Sequence, residues 1–367
     1  MTVSSTVPIV HTIGDASGSD RLRDEVIAGL SLPAGEKFMS PLVLYDERGL
    51  RIYDEITDVP DYYLFGAEKE ILETHADEIA RIMHSGISHV GNEAEPRNSI
   101  VVELGAGALK KTSLILSALA RQVPGPSAEP PVQYYALDLE KRELERTLVA
   151  LNQSAVGTEL LGKVSTSGLC GTYDDGLKYI TSGGLEGPSA AKVRPALHII
   201  FLGSSLGNFP PGDDAAFLRS LPLRPGSGDT LLIGLDHGYD PERMALAYNS
   251  PTGTNRRFVL NGLKCAGRAL GDQSLFEERK WEYVSKHNAE LRRHEACYQS
   301  TCDQTIVTST HTFAFIKGEL VNLVYSHKYS EQDTSTLFAD AGLTPVRRWT
   351  DSALQCSLWL LERPAVV

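Results

Sequence analysis

The run Val101-Val102-Glu103-Leu104-Gly105-Ala106-Gly107 constrains the fold of this chain more than any other feature. Apolar residues end in an acid and a glycine turn, and Lys110-Lys111-Thr112 leads into the helix-like Ser113-Leu114-Ile115-Leu116. A second run, Gln133-Tyr134-Tyr135-Ala136-Leu137-Asp138, also ends in an acid. Strand, glycine turn, helix, strand and acid follow the order in which a parallel α/β sheet binds a nucleoside-bearing cofactor. The glycines let the backbone approach the ligand, and the second acid takes the ribose hydroxyls. The third glycine of a dinucleotide fingerprint is missing, because position 110 is Lys110. That favours S-adenosylmethionine, which has no pyrophosphate to lay on a helix N-terminus. On the turn alone a nicotinamide cofactor stays open, and Asp138 could equally cap the helix after it.

The alternation continues. Glu140–Leu151 reads as a helix, His198–Gly203 as a third buried strand, Asp213–Leu221 as a helix and Thr230–Asp236 as a fourth strand. This predicts a parallel sheet with helices on both faces. Upstream, Ser19–Leu30 reads as a short helix and Lys37–Pro60 as a denser segment with a turn at Gly49. Glu68–His84 repeats apolar residues at helical spacing. Ser85–Asn98, Pro124–Pro131 and Ser182–Ser189 read as loops. After Asp236 come helices at Ala245–Tyr248 and Asn255–Gly271, then a hairpin of Ile306–Ile316 with Glu319–His327 around Lys317-Gly318. A helix closes at Phe338–Ala341, and Cys356–Leu361 is a last strand. The expected organisation is a Rossmann-like α/β core over 67–238 plus 329–367 and a discontinuous α+β lobe over 14–66 plus 239–328 capping the sheet. Residues 1–13 form a flexible N-terminus on this reading.

With 367 residues and a net charge of -12, the chain lacks the clustered Lys and Arg of a nucleic-acid surface. Arg292-Arg293 and Arg347-Arg348 are too short to change this. No apolar run reaches membrane-spanning length and no basic-then-apolar leader opens the chain, so a cytoplasmic protein is expected, as a monomer. The five scattered cysteines lack metal-ligand spacing and read as reduced thiols, with no metal.

Gly203-Ser204-Ser205-Leu206-Gly207-Asn208 follows the third strand, at the sheet edge where open α/β folds bind ligands. Asn208 could support its own turn, or recognise an amino-acid carboxylate or amine. Tyrosines are dense, Tyr45, Tyr53, Tyr62, Tyr63 and Tyr248 among them. Singly each reads as a core residue with a wet hydroxyl; together they suit a site that handles a sulfonium and an amine.

Several segments together resemble the ergothioneine-pathway histidine Nα-methyltransferases. They are Asp46-x-x-Gly49, Tyr53-Asp54-x-Ile56-Thr57-x-x-Pro60-x-Tyr62-Tyr63, Glu68 and Val102-Glu103-Leu104-Gly105-x-Gly107. Phe201-Leu202-Gly203-Ser204-x-x-Gly207-Asn208, Ala247-Tyr248, Gly253 and Ser326-x-Lys328-Tyr329 extend the match over nearly the whole chain. Gly171-Thr172-Tyr173-Asp174-Asp175-Gly176-Leu177 is similar to the fungal branch, whose ergothioneine enzymes usually continue into a sulfoxide synthase module where this chain has a single methyltransferase unit.

The resemblance implies an S-adenosylmethionine methyltransferase core and a substrate lobe. The donor would leave as S-adenosylhomocysteine, and the acceptor would be the α-amine of a free amino acid. It implies that Gly105, Lys111, Asp138 and Tyr173 hold the donor, with Glu103, Gly107, Thr172, Gly203 and Ser204 beside them. Asn208 and Tyr248 would hold the substrate carboxylate, Tyr45, Tyr53 and Gly203 would surround the amine, and Tyr62 and Ser326 would lie near the side chain. Tyr45, Tyr53 and Asn208 are then the candidate catalytic residues.

Two departures matter. Two residues before Ser326 the histidine enzymes have a glutamate that pairs with the imidazole, and here Val324 stands there. Loss of that contact would leave an imidazole unpaired in a dry pocket, whereas valine, with the small Ala296 on the adjacent segment, suits an indole. The second is Leu64-Phe65-Gly66-Ala67, in place of a stretch with Thr and Arg or Asn. The expected activity is Nα-methylation of L-tryptophan to a mono-, di- or trimethylated product. Rival expectations are histidine, a prenylated tryptophan, and an inactive cofactor-binding regulator, against which the retained Asn208 and Tyr248 speak.

Overall fold

The computed structural model describes residues 8–14, 18–85, 98–185, 194–210 and 212–365. Most of the loop expected over Ser85–Asn98, the end of that over Ser182–Ser189 and the first seven residues of the N-terminal segment lie outside them. In chain order come β1 (Val10–Thr12), α1 (Gly18–Leu30), α2 (Glu47–Thr57), α3 (Tyr63–Ser85), β2 (Ser99–Leu104) and α4 (Thr112–Gln122). Next are β3 (Val132–Asp138), α5 (Lys141–Gln153), α6 (Ala155–Leu160), β4 (Val164–Cys170), α7 (Tyr173–Thr181), β5 (Ala196–Phe201) and α8 (Asp213–Ser220). Then follow β6 (Thr230–Asp236), α9 (Pro241–Tyr248), α10 (Thr254–Ala269), β7 (Trp281–Asn288), β8 (Arg293–Ser300) and β9 (Gln304–Val307). The chain closes with β10 (Thr312–Phe315), β11 (Leu320–His327), α11 (Glu331–Ala341), β12 (Thr344–Thr350) and β13 (Cys356–Glu362). These elements divide between two compact units, 1–13 with 64–237 and 329–367, and 14–63 with 238–328.

The first unit is Rossmann-like. Its eight strands run in the order β1-β4-β3-β2-β5-β6-β13-β12, parallel from β1 to β6, with β13 and β12 antiparallel. β2, β5 and β6 are buried along their whole length, as their near-continuous apolar sequences require. On one face Ile100, Val102 and Leu104 pack with Leu177 of α7, Phe217 of α8 and Phe338 of α11. On the other, Glu103 meets Thr112 of α4. The strand order reverses between β2 and β5, which makes the crevice outside their carboxyl ends the ligand position of such a sheet.

The sequence pattern misses three strands and two helices, α6 and α7, here. β4 reads Val164-Ser165-Thr166-Ser167-Gly168-Leu169-Cys170 and is too polar to announce itself, yet neighbours on both sides satisfy its backbone. α7 follows it. β1 has only three residues, and β12 carries Arg347 and Arg348, whose charges interrupt any apolar pattern. The Arg348 guanidinium lies 4.7 Å from the centre of the Trp359 ring and pairs with Glu331 at 2.7 Å.

The second unit has a three-stranded antiparallel sheet, order β11-β8-β7, and a β9–β10 ribbon. The expected hairpin of Ile306–Ile316 with Glu319–His327 does not form: β10 pairs with β9, and β11 pairs with β8. β7 and β8 were not foreseen because their inner face carries Ser285, His287 and His294 where alternation would call for apolar residues. The unit's core joins Val26 and Leu30 of α1, Ile52 and Ile56 of α2, and Phe258 and Leu263 of α10 to Tyr298 and Val321.

Gly49 is not at a turn. It lies in the first turn of α2, whose N-cap Asp46 accepts its amide at 2.7 Å. Asp46 is held in turn by Asn261 at 2.8 Å and by Arg268 of α10. A Cβ at Gly49 would stand 1.8 Å from the Leu44 carbonyl oxygen, which is backbone and cannot swing away. Alanine favours a helix over glycine by about 1 kcal/mol, and forced overpacking costs about 1–3 kcal/mol or more. Gly49→Ala should therefore lower the melting temperature, and a calorimetric melt showing stabilisation would refute the close approach.

Candidate active site

At the carboxyl ends of β2 to β5, the loops of the first unit form a cradle. Gly105 and Ala106 donate their amides to the Leu137 carbonyl, at 2.9 and 3.1 Å, and Gly107 donates to Asp138 Oδ2 at 2.9 Å. The second oxygen of Asp138 accepts from the Leu139 amide at 2.8 Å. Burial raises the Asp138 carboxyl and these two bonds pull it back. Gly105 and Gly107 both have positive φ, 71° and 53°. A Cβ on Gly105 would stand 2.9 Å from the Tyr173 hydroxyl, whereas one on Gly107 would meet nothing within 4 Å. The turn is thus closed by protein at Gly105 and open at Gly107, as a backbone that approaches a ligand must be. Tyr173 opens α7 and is wedged edge-on against Phe201, 5.3 Å between ring centres. Thr172 is the N-cap of α7, in a reciprocal capping box with Asp175.

Glu103 faces inward. Thr112 donates to one of its oxygens at 2.6 Å and Tyr134 to the other at 2.5 Å. Burial pushes its carboxyl up to about 7. It supports the turn from below.

One residue to which the sequence reading gave no role joins the cradle. Glu68, buried on α3, accepts the Gly203 amide on both oxygens at 2.9 Å and pairs with the Lys111 ammonium. It thereby ties the helix before the sheet to the turn after β2 and the turn after β5, across 135 residues in the second case. The cost is read on β6: a Cβ on Gly234 would stand 1.9 Å from Glu68 Oε1. Lys111 Nζ also lies 5.4 Å from the ring centre of Phe65, in the segment that departs from the family pattern. Ser204 takes a left-handed conformation, φ 52°, and its Oγ accepts the Asp236 amide at 2.9 Å. Strain of this kind persists where the surroundings fix it. Asn208 ends the 3-10 turn Ser205–Asn208 directly after.

A second cluster forms within the other unit. Tyr45, Tyr53, Tyr62 and Tyr248 make a chain of edge-on rings with successive centres 6.4, 6.3 and 6.3 Å apart, and the Tyr53 and Tyr62 hydroxyls are 3.3 Å apart. Burial and the neighbouring phenols hold the Tyr62 hydroxyl well above the usual tyrosine range, so it stays neutral. Tyr248 and Ser326 share a 2.5 Å hydrogen bond. Val324 is the strand partner of Ala296 and Ser326 of His294, so all four project from one face of the sheet. Val324 is half-buried, packed against the unit's apolar core. The acceptor-side candidates of this unit, Tyr45, Tyr53, Tyr62, Tyr248, Ala296, Val324 and Ser326, thus fall on one ring chain and one sheet face. Gly203 and Asn208 belong to the first unit.

Among the described residues no group of three or more His, Cys, Asp or Glu could hold a metal, and no helix is long and apolar enough to cross a membrane.

Residues 22–363 match the family described as histidine-specific methyltransferase, SAM-dependent. The L-tryptophan methyltransferase of Psilocybe serbica is 37% identical over 93% of this chain and 92% of its own length. Ergothioneine biosynthesis protein 1 of Neurospora crassa is 34% identical over 90% of this chain, which spans 34% of that longer protein. The 4-dimethylallyltryptophan N-methyltransferase of Epichloe festucae var. lolii is 30% identical over 97% of this chain and 98% of its own.

Two outcomes follow from the cradle. Gly234→Ala must displace the Glu68 carboxylate, and isothermal titration should show S-adenosylhomocysteine bound at least about tenfold more weakly, a loss of ~1.4 kcal/mol. Unchanged affinity would remove Glu68 from the cradle's support. The second concerns pH. Folding raises the Glu103 carboxyl from 4.5 to about 7, so within that window the folded state holds a proton the unfolded state has lost. Stability then falls as pH rises through it. Glu103→Gln should melt progressively above the parent between about pH 5 and pH 8, approaching ~3 kcal/mol at the upper end. A pH-independent difference would contradict the raised pKa.

Proposed function

The chain belongs to the histidine-specific, S-adenosylmethionine-dependent methyltransferase family, and we propose that its acceptor is the α-amine of free L-tryptophan. The observation that carries this reading is Val324 facing Ala296 on the sheet face that bears Ser326. The family's histidine enzymes have a glutamate at position 324. An apolar wall of valine and alanine penalises an imidazole, which would lose its hydrogen-bond partner, and favours the broad apolar face of an indole. The 37% identity to a tryptophan methyltransferase supports the same assignment.

The cradle fits the donor. Gly107 leaves backbone open to a ligand, and Asp138 stands at the end of β3 as a ribose acceptor. Glu68 and Lys111 hold the two flanking turns in place. When bound, the donor supplies an electrophilic methyl group on a positively charged sulfur. The chain's residues then have three tasks: to orient the amine lone pair, to keep it unprotonated and to exclude water. Tyr45 and Tyr53 are assigned to the amine and Tyr62 to the space beside the indole. Their neutral phenols can accept or donate hydrogen bonds without taking the proton. His294, the imidazole beside Tyr248, is pushed down to about 3 by burial and the nearby Lys328, so it is a poor base. The ammonium of the free amino acid therefore gives its proton to water on entry, and catalysis is mostly positioning. On this reading the protein is a monomeric cytoplasmic enzyme.

The test is to incubate the protein with S-adenosylmethionine and each free amino acid, and to look for products heavier by one, two or three methyl groups. Tryptophan should be modified. Methylated histidine beside untouched tryptophan would reverse the assignment. Val324→Glu should raise histidine turnover relative to tryptophan by about tenfold or more. A constant ratio would take Val324 out of the acceptor site.

A further inference from the structure

Lys328 is buried to within 2% of its surface, one residue beyond β11, and its ammonium is directed at two hydroxyls. It donates to Tyr248 Oη at 2.7 Å and to Ser326 Oγ at 3.0 Å, while those two oxygens are themselves 2.5 Å apart. We propose that Lys328 is a positioning residue that turns the Tyr248–Ser326 pair into an oriented, positively backed hydrogen-bond donor for the carboxylate of the substrate. This rests on the reading above that the acceptor is a free amino acid.

The argument is one of proton accounting. Each hydroxyl has one hydrogen and oxygen lone pairs. Both oxygens already accept from the ammonium, which leaves the hydroxyl hydrogens as the groups to be placed. One lies between the two oxygens, since a separation of 2.5 Å requires it. The other is therefore directed out of the trio. A trio that presents an outward hydroxyl donor backed by an ammonium matches an anion with acceptor lone pairs, and hydrogen bonds between such partners are the short, strong kind. A free amino acid has one such group, its carboxylate. The trio differs from the rest of the cluster in its charge: Tyr45, Tyr53 and Tyr62 are phenols in an aromatic chain, whereas the Lys328 ammonium bonds the Tyr248 hydroxyl directly.

The scaffolding around Tyr248 argues for a fixed hydroxyl. Its ring is stacked on the His294 imidazole, 4.0 Å between centres and 7° from parallel. Its backbone carbonyl accepts from the Tyr283 hydroxyl at 2.7 Å. His294 is pinned by Ser285 at 2.8 Å. The Lys328 amide donates to the Arg292 carbonyl at 2.8 Å, which fixes the chain at the root of the lysine. Ring, carbonyl and hydroxyl are thus each held by a different residue. A tyrosine that served only as packing would not need its hydroxyl set by a buried cation, which costs desolvation to place there.

The test compares tryptophan with tryptamine, the same ring and amine without the carboxylate. The parent should prefer tryptophan in kcat/KM, and Lys328→Met should collapse that preference by at least about tenfold through the tryptophan KM. The KM for S-adenosylmethionine and the rate with tryptamine should change by less than about threefold. A purely structural lysine would lower both acceptors together and leave their ratio intact, which would overturn the proposal. Lys328→Gln is read in the same way should the methionine variant not fold. A parent that methylates tryptamine as well as tryptophan would overturn it with no variant at all. If the amino-acid screen shows histidine as the acceptor, the tryptophan reading fails alone. The same comparison is then made with histidine and histamine.

Discussion

The Glu68 carboxylate holds the first unit's ligand crevice together. A parallel sheet offers a switch point between β2 and β5 for topological reasons, but topology leaves the turns above it loose. Glu68 removes that freedom, because one buried carboxylate accepts the Gly203 amide on both oxygens and pairs with Lys111. A buried ion pair gives little net stability by itself, and removing one partner is costly, about 3–5 kcal/mol. Such a group is better understood as fixing geometry. Gly234 shows what the chain gave up for it, since any side chain there would occupy the carboxylate's own position.

Around that pivot the acids divide by depth. Glu103 lies beneath the turn, satisfied by Thr112 and Tyr134 and raised to about 7. Asp138 lies at the turn, where it accepts the Gly107 amide. The open space is at Gly107, beside Asp138, and not at Gly105, where Tyr173 closes the approach. The motif that looks like a ligand contact in the sequence is therefore partly foundation. The pattern acid–x–Gly–x–Gly does not say which members touch a ligand and which hold the others up.

Much of the fold was legible because buried parallel strands announce themselves. β2, β5 and β6 are almost uninterrupted apolar runs; the first two are followed within two residues by a glycine, and β6 ends in an acid. β4 was not legible, because Ser165, Thr166 and Ser167 give no apolar pattern and only its neighbours make it a strand. Strand pairing was legible least. Alternation identified the strand Leu320–His327 but could not say that its partner is β8 and not β10, since period two is the same for every partner. On the acceptor side, the tyrosines stood out by type and number, and Ser326 through the resemblance alone. Lys328 and His294 did not, because a lysine among polar neighbours reads as solvated until burial is known. Glu68 was visible as part of a motif, and its role was hidden by the distance along the chain to Gly203.

The two clusters differ in electrostatic sign, and the difference follows the charges of the proposed ligands. The cradle of the first unit is built from acids, Glu68, Glu103 and Asp138, with Lys111 committed to Glu68. That balance suits a donor that brings a sulfonium, an ammonium and ribose hydroxyls. In the second unit the tyrosine chain is neutral and the Lys328 ammonium stands at one end of it, behind Tyr248 and Ser326. A cation beside the reacting amine would work against a positively charged methyl group. The same cation behind two hydroxyls can hold a carboxylate, with the phenols Tyr45 and Tyr53 left for the amine. On this reading the Tyr248 hydroxyl is a relay as much as a contact. It would pass the lysine's attraction on to a carboxylate through a hydroxyl that bonds the ammonium directly.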